Sequence, residues 1–177
     1  ALDSHRLFEL LNQSGVASMV EQPPLHPGVK IALLLWLLPE PAESREVLAQ
    51  PEGQSVKIEA EGLTYLVQSV RPTAASGEDA SAQLQMKQAF RAAIDTLEAS
   101  GMNLRDHCHR TWIYVRDVDR NYAGVVTARN EVFAQQGLTP ATHFIASTGI
   151  GGATENSGTL VAADFFSVKG LKREQVK

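Results

Sequence analysis

The chain has 177 residues, of which 44% are hydrophobic and 20% are charged, and its formal net charge at pH 7 is −4. This length can bury a substantial core in one domain and leaves little for a second. The acidic balance argues against a dedicated nucleic-acid binder, because such proteins use clustered basic residues to neutralise phosphates.

The sequence also indicates where the protein works. Its single cysteine, Cys108, has no partner in this sequence for a disulfide, and we expect a buried structural thiol. The longest apolar run, residues 31–38, is much shorter than the roughly 20 residues that cross a bilayer. The first residues lack the apolar core of a secretory signal. We therefore expect a cytoplasmic protein without membrane contact.

The N-terminal part of the chain, residues 1–54, is predicted to be an extension of the main domain. We expect a short helix at 3–12, a proline-rich loop at 22–28, and an apolar segment at 29–38 that indicates a buried strand or a short helix. Residues 39–53 are polar and contain prolines, so we expect a loop there with at most one helical turn.

The main domain is predicted at residues 55–170, and a charged tail follows at 171–177. Its first elements are two strands at 55–60 and 63–71. Glu61-Gly62 between them has the composition of a two-residue turn, which predicts a tight hairpin.

The clearest helix is predicted at residues 81–100. Its apolar side chains recur at intervals of three and four residues and therefore share one face. They are Met86, Phe90, Ala93 and Leu97. Asp79 or Ser81 can cap the start of this helix, and Gly101 follows its end.

Residues 107–117 are predicted to form a strand with two different faces, because side chains alternate along a strand. One face carries Cys108, Arg110, Trp112, Tyr114 and Arg116. The other carries His109, Thr111, Ile113 and Val115. The second face suits packing beneath a helix, whereas the first is too polar for an ordinary core and needs partners.

The remaining elements complete one domain. A helix at 119–136 is predicted with Asp119 as its N-cap, and a strand at 141–147 is predicted to end in a glycine-rich turn at 147–152. A last strand is expected at 158–168. The order β-β-α-β-α-β-β predicts an α/β (α+β) domain, a mixed sheet with both helices on one face. The other face must be covered by the N-terminal segment or by other subunits.

Four stretches of the sequence resemble the YjgF/RidA family, also called the L-PSP endoribonuclease-like family. They are residues 62–72 (GLTYLVQSVRP), 83–103, 117–133 and 143–149. Together they span roughly residues 55–168. The resemblance implies the chorismate-mutase-like fold of that family, homotrimers, and ligand clefts between subunits.

Three shorter stretches are similar to the C-terminal half of the chorismatases, which carry this fold twice and hydrolyse chorismate. They are residues 110–114 (RTWIY), 146–151 (ASTGIG) and 166–170 (FSVKG). Two departures from the YjgF/RidA pattern bear on activity. Ser147 stands in the place of the arginine that holds the substrate carboxylate, and the glutamate of the last strand is replaced by Ala162 or Ala163. The usual imine deamination is therefore in doubt.

The candidate site residues lie around these stretches. Arg110 can hold a carboxylate while Tyr114 orients it, and a surface ion pair is the alternative. Ser147 and Thr148 each carry a hydroxyl, and Gly149 can expose its backbone N–H. These three residues can donate hydrogen bonds to the same ligand. Glu155 is the candidate acid–base, since it is a carboxylate in the loop that follows.

The sequence therefore predicts a small-molecule carboxylate ligand in an inter-subunit cleft of a homotrimer. Hydrolysis of an enamine, an imine or an enol ether would suit such a site, which leaves deaminase-like and chorismatase-like activity open. A non-catalytic metabolite-binding module is the alternative. Ribonuclease action is the least favoured, because the chain is acidic and lacks a paired acid and base. We expect neither a metal nor an organic cofactor.

Overall fold

The computed structural model describes residues 18–21, 28, 43–50, 52–72, 81–152, 156 and 158–172. The helix predicted at 3–12 and the strand predicted at 29–38 lie outside the described residues. The division into extension, domain and tail stays a prediction.

Within the described ranges, six strands form one mixed sheet in the order β1-β2-β3-β6-β4-β5. They are β1 (Ser44–Gln50), β2 (Gly53–Ala60), β3 (Leu63–Val70), β4 (Cys108–Val115), β5 (Ala146–Gly151) and β6 (Val161–Lys169). Only β4 and β5 pair in parallel; the other neighbours are antiparallel.

The described part of the chain has three helices beside the sheet: α1 (Ala82–Ala99), the single turn α2 (Leu104–His107), and α3 (Val118–Gln135). The long helices α1 and α3 pack on each other and on one face of the sheet, where they enclose the core. None of the helices in the described ranges is long and apolar enough to cross a bilayer. The predicted architecture, a mixed sheet with two packed helices on one face, is confirmed.

The expected loop at 39–53 is wrong, because Ser44–Gln50 pairs with β2 as an edge strand. This strand is charged and exposed, and Val47 keeps 52% of its surface in solvent. Edge strands often carry charges that discourage pairing with other chains, so they lack the apolar pattern that marks a buried strand.

The hairpin between β2 and β3 forms as predicted. Glu61 and Gly62 both have positive φ angles, 54° and 72°. Two consecutive positive φ angles are typical of a type I′ turn, whose twist matches that of the strands it joins.

Helix α1 also forms as predicted. Ser81 is its N-cap, and the Ser81 hydroxyl accepts a hydrogen bond of 3.1 Å from the Leu84 backbone N–H. The four apolar residues predicted for one face, Met86, Phe90, Ala93 and Leu97, are all fully buried. Each large side chain contributes about 1.5–3 kcal/mol by leaving water.

In β4 the alternation is confirmed except at its start. Thr111, Ile113 and Val115 are buried on the helix side. Cys108, predicted for the opposite face, is buried in the same core, because the pairing of β4 with β6 is irregular between Cys108 and Arg110. Burial raises the pKa of the Cys108 thiol to about 11, so the thiol is protonated and unreactive at neutral pH. Cys108 is therefore the buried structural thiol that we predicted.

Helix α3 begins one residue earlier than predicted, and its N-cap lies two residues earlier. Its N-cap is Asp117, with φ 48° and no side-chain cap hydrogen bond, and Asp119 lies in the first turn. The N-cap role predicted for Asp119 is therefore wrong.

The strand predicted at 141–147 is displaced toward the C-terminus. Residues 138–145 form turns in which the Thr142 hydroxyl donates to the Gly137 carbonyl at 2.8 Å. The strand starts at Ala146, so the predicted glycine turn is itself the extended strand β5. Its glycines, Gly149 and Gly151, have no positive φ.

Gln85 fixes α1 to the start of β6. Its side-chain oxygen accepts from the backbone N–H groups of Leu160 and Val161, at 2.7 and 3.3 Å, and its nitrogen donates to the Gly158 carbonyl at 3.0 Å. Gln85 is fully buried.

A Gln85→Leu change should lower the free energy of unfolding by about 2–4 kcal/mol, since it leaves several buried polar groups without hydrogen-bond partners. Urea denaturation measures this loss. Gln135→Leu, on the exposed side of α3, is the control, and equal effects of the two changes would contradict the assignment.

Candidate functional site

The sheet face opposite the helices carries the predicted polar residues. We call it the helix-free face, because none of the helices in the described part of the chain packs on it. Strand register and alternation place seven polar or aromatic side chains on its central part. They are Ser69, Arg110, Trp112, Tyr114, Thr148, Asp164 and Phe166. The side chains of Arg110, Trp112 and Tyr114 are half-buried, so this face is not fully open to solvent.

Asp164, on the central strand β6, is held from both sides. One carboxylate oxygen accepts a 3.0 Å hydrogen bond from the Arg71 guanidinium, and the other accepts a 3.0 Å hydrogen bond from the Tyr114 hydroxyl. The same guanidinium lies 5.6 Å from the centre of the Tyr114 ring. The charges of Arg71 and Asp164 therefore compensate each other, and Tyr114 is fixed by both residues.

Arg110 has a different environment. Its guanidinium donates to the Thr148 hydroxyl at 2.5 Å and lies 5.3 Å from the centre of the Trp112 ring. Among the residues that the structure describes, no carboxylate pairs with Arg110. Arg110 is thus a half-buried positive charge, oriented by two neighbours and available to an anion.

The predicted hydrogen-bond donors of β5 divide between the two faces of the sheet. Thr148 joins Arg110 on the helix-free face. Ser147 lies on the helix side, where its hydroxyl accepts a 2.8 Å hydrogen bond from the Thr111 hydroxyl. Gly149 is also on that side, beneath Tyr122, since an added Cβ would come within 2.6 Å of the Tyr122 ring. A ligand on the helix-free face can therefore reach the Thr148 side chain but not the Ser147 side chain or the side of β5 on which Tyr122 approaches Gly149.

Glu155 lies outside the described residues, and its acid–base role stays a prediction. The ring of His107 accepts a 3.0 Å hydrogen bond from the Asn103 backbone N–H, and His109 is exposed. Within the described ranges, no group of three potential ligands could hold a metal ion.

Two residues of the site, Arg71 and Asp164, were not predicted from the sequence. The family resemblance implies that Ala162 or Ala163 replaces the glutamate of the last strand, but Asp164 supplies a carboxylate on the Tyr114 face. A lone charge within an otherwise apolar strand was the available signal, because buried charges are normally paired.

Burial raises the pKa of the Tyr114 phenol above its ordinary value near 10, the Asp164 charge adds to the rise, and Arg71 opposes it. The phenol is therefore neutral at physiological pH. An unfolded chain loses this proton near pH 10 while the folded protein keeps it, so the free energy of unfolding must fall as pH rises further.

When the pH is raised from about 9 to about 11, the Tyr114→Phe protein should lose less of its free energy of unfolding than the unmodified protein does. Urea denaturation at each pH measures the two losses. Parallel losses in both proteins would show that Tyr114 titrates normally.

No protein-family model and no curated protein matches the sequence, whereas several solved structures match the fold. NMB1025, a YjgF-family member from Neisseria meningitidis, is 18% identical with a TM-score of 0.54, over 73% of this chain and 98% of its own. E. coli TdcF with bound serine is 15% identical with a TM-score of 0.53, over 70% of this chain and 91% of its own.

A chorismatase is 22% identical with a TM-score of 0.50, and the match covers 72% of this chain and 36% of the chorismatase. At these identities the comparisons show the fold alone. The fold implied by the sequence resemblance is thereby confirmed: the chain has the YjgF-like mixed α+β fold.

Proposed function

We propose that the protein binds a small carboxylate-bearing metabolite on its helix-free face, with Arg110 as the group that holds the carboxylate. The observation that carries this proposal is the half-buried Arg110 guanidinium, which has no carboxylate partner in the described part of the chain. A partly desolvated cation gains more from an anion than an exposed cation does. Its planar fork can also bind both carboxylate oxygens at once.

The neighbours of Arg110 suit this role. Thr148 and the Trp112 ring limit the orientations of the guanidinium, so less conformational freedom is lost when a ligand binds. The charge balance favours an anion as well, because Asp164 already compensates Arg71, and no carboxylate in the described part of the chain compensates Arg110. The fold is shared with TdcF, solved with bound serine, which is itself a small carboxylate.

The same face carries groups that can assist the addition of water to an imine, an enamine or an enol ether. The neutral Tyr114 hydroxyl donates to Asp164 and can accept a hydrogen bond from a ligand or a water molecule. The Asp164 carboxylate can receive a proton from an attacking water. We propose hydrolysis as the reaction class, and the fold shared with a chorismatase supports it. A binding module without turnover is the alternative, favoured by Ser147 in the place of the family arginine.

A second ligand position on the helix side of β5 would use Ser147 and Gly149. It is favoured by the resemblance, which places the family arginine at Ser147. The Tyr122 ring lies beside Gly149, and Thr111 already holds the Ser147 hydroxyl, so this position offers fewer free side-chain groups than the helix-free face.

We further propose that the protein is a homotrimer whose subunits cover the helix-free face and complete the cleft. This face carries apolar side chains that are only half-buried in one subunit, among them Tyr65, Val67, Ile150 and Phe166. Where the described helices leave a sheet face uncovered, its apolar side chains are normally buried against another layer.

Analytical ultracentrifugation should therefore give about three times the 19.2 kDa chain mass. Ile150→Glu should dissociate the assembly, because it places a charge in a desolvated contact. Val118→Glu, on α3, should leave the assembly intact and serves as the control. A monomeric unmodified protein would remove the inter-subunit cleft.

Calorimetric titration with pyruvate and with chorismate tests the binding site. An Arg110→Gln change should weaken the better ligand by about 10- to 100-fold, since it removes a charge-assisted pair of hydrogen bonds. The Arg110→Lys protein should have an affinity between those of the unmodified and Arg110→Gln proteins, because lysine keeps the charge without the planar guanidinium. Arg120→Gln, on the exposed start of α3, should change nothing. Equal affinity in the Arg110→Gln protein would exclude Arg110 as the carboxylate-binding residue.

A further inference from the structure

A short N-terminal segment, Ser18–Glu21, lies beside the Arg71 end of the site. The Arg71 guanidinium donates a hydrogen bond to the Ser18 hydroxyl. Val20 lies over Gly152, because a Cβ added at Gly152 would come within 2.5 Å of Val20 Cγ1. The same added Cβ would lie 3.8 Å from Tyr114 Cβ, so Val20, Gly152 and Tyr114 are neighbours. The segment thus contacts the site at both β3 and the end of β5.

We propose that Ser18–Glu21 is a strap that closes the Arg71 end of the site and sets an upper limit to the size of the ligand. The size limit rests on the proposed function, whereas the strap itself does not. The strap determines specificity, and Ser18 and Val20 are its two contact residues.

The contacts of Arg71 explain why this end of the site is closed. One terminal nitrogen of its guanidinium is engaged by Asp164 and by the Val70 carbonyl, and the other by Ser18. A carboxylate held by Arg110 therefore meets an Arg71 guanidinium whose two terminal nitrogens are both already engaged. A bulky substituent that extends along the face past Tyr114 meets Val20.

Gly152 permits this closure, and its neighbour provides a matched control. Any side chain at Gly152 would collide with Val20, whereas a Cβ at Gly151 would meet no atom within 4 Å. The Gly152 backbone N–H donates to the Val115 carbonyl at 3.0 Å, and a Gly152→Val change keeps that bond. Gly152→Val should therefore displace the strap, and Gly151→Val should leave it in place.

The first readout needs no ligand. A glutamate-specific protease is added to the full-length protein, and the rate of cleavage after Glu21 is followed by mass spectrometry. We expect cleavage to be at least about tenfold faster in Gly152→Val than in the unmodified protein, because local opening controls cleavage. Gly151→Val should match the unmodified protein. Equal rates in all three proteins would overturn the strap.

The second readout compares pyruvate with phenylpyruvate by calorimetry. The unmodified protein and Gly151→Val should bind pyruvate more tightly, and Gly152→Val should shift the affinity ratio toward phenylpyruvate by about tenfold or more. An unchanged ratio in Gly152→Val would overturn the size limit. If Gly152→Val does not fold, the double change Ser18→Ala and Val20→Ala, which adds no bulk, takes its place with the same expectations.

The two readouts separate the strap from the proposed function. Faster cleavage in Gly152→Val, with no carboxylate bound by any of the proteins, would keep the strap and reject the binding site. Carboxylate binding that depends on Arg110, with equal cleavage in all proteins, would keep the binding site and reject the strap.

Discussion

The helix-free face is organised around one constraint: a carboxylate in the central strand of the sheet must be compensated from the strands beside it. Asp164 lies on β6, between β3 and β4, and only 16% of its side chain is exposed. An uncompensated charge there would be costly. Arg71 at the end of β3 and Tyr114 on β4 supply the partners. With these three residues satisfied by each other, Arg110 remains as the charge that lacks a carboxylate among the described residues.

Strand alternation decides which other residues can share a ligand with Arg110. In the parallel pair of β4 and β5, Thr111 lies opposite Ser147 and Trp112 lies opposite Thr148. Side chains that are neighbours in sequence therefore point to opposite faces. Thr148 joins Arg110, whereas Ser147 is on the helix side. The sequence predicted a glycine-rich turn with exposed N–H donors. The structure has the extended strand β5 there instead, and its backbone groups pair with β4.

The parts of the fold with local signals were predictable from the sequence. Helix α1 has a cap and an apolar face, and the Glu61-Gly62 turn has its own residue preference. Strand β1 was missed and β5 was predicted to start at residue 141 instead of Ala146, because edge strands need no continuous apolar pattern and β5 consists largely of small and polar residues. The set formed by Arg71, Asp164 and Tyr114 depends on pairing between strands that are far apart in sequence. The alternation of residues within one strand does not reveal how that strand is aligned with its neighbours in the sheet.

A crystal of the protein soaked with pyruvate would show where a small carboxylate binds. We predict a carboxylate within hydrogen-bond distance of the Arg110 guanidinium, on the helix-free face and close to Thr148. A carboxylate on the other side of β5, against Ser147 and Tyr122 with Arg110 unchanged, would contradict it.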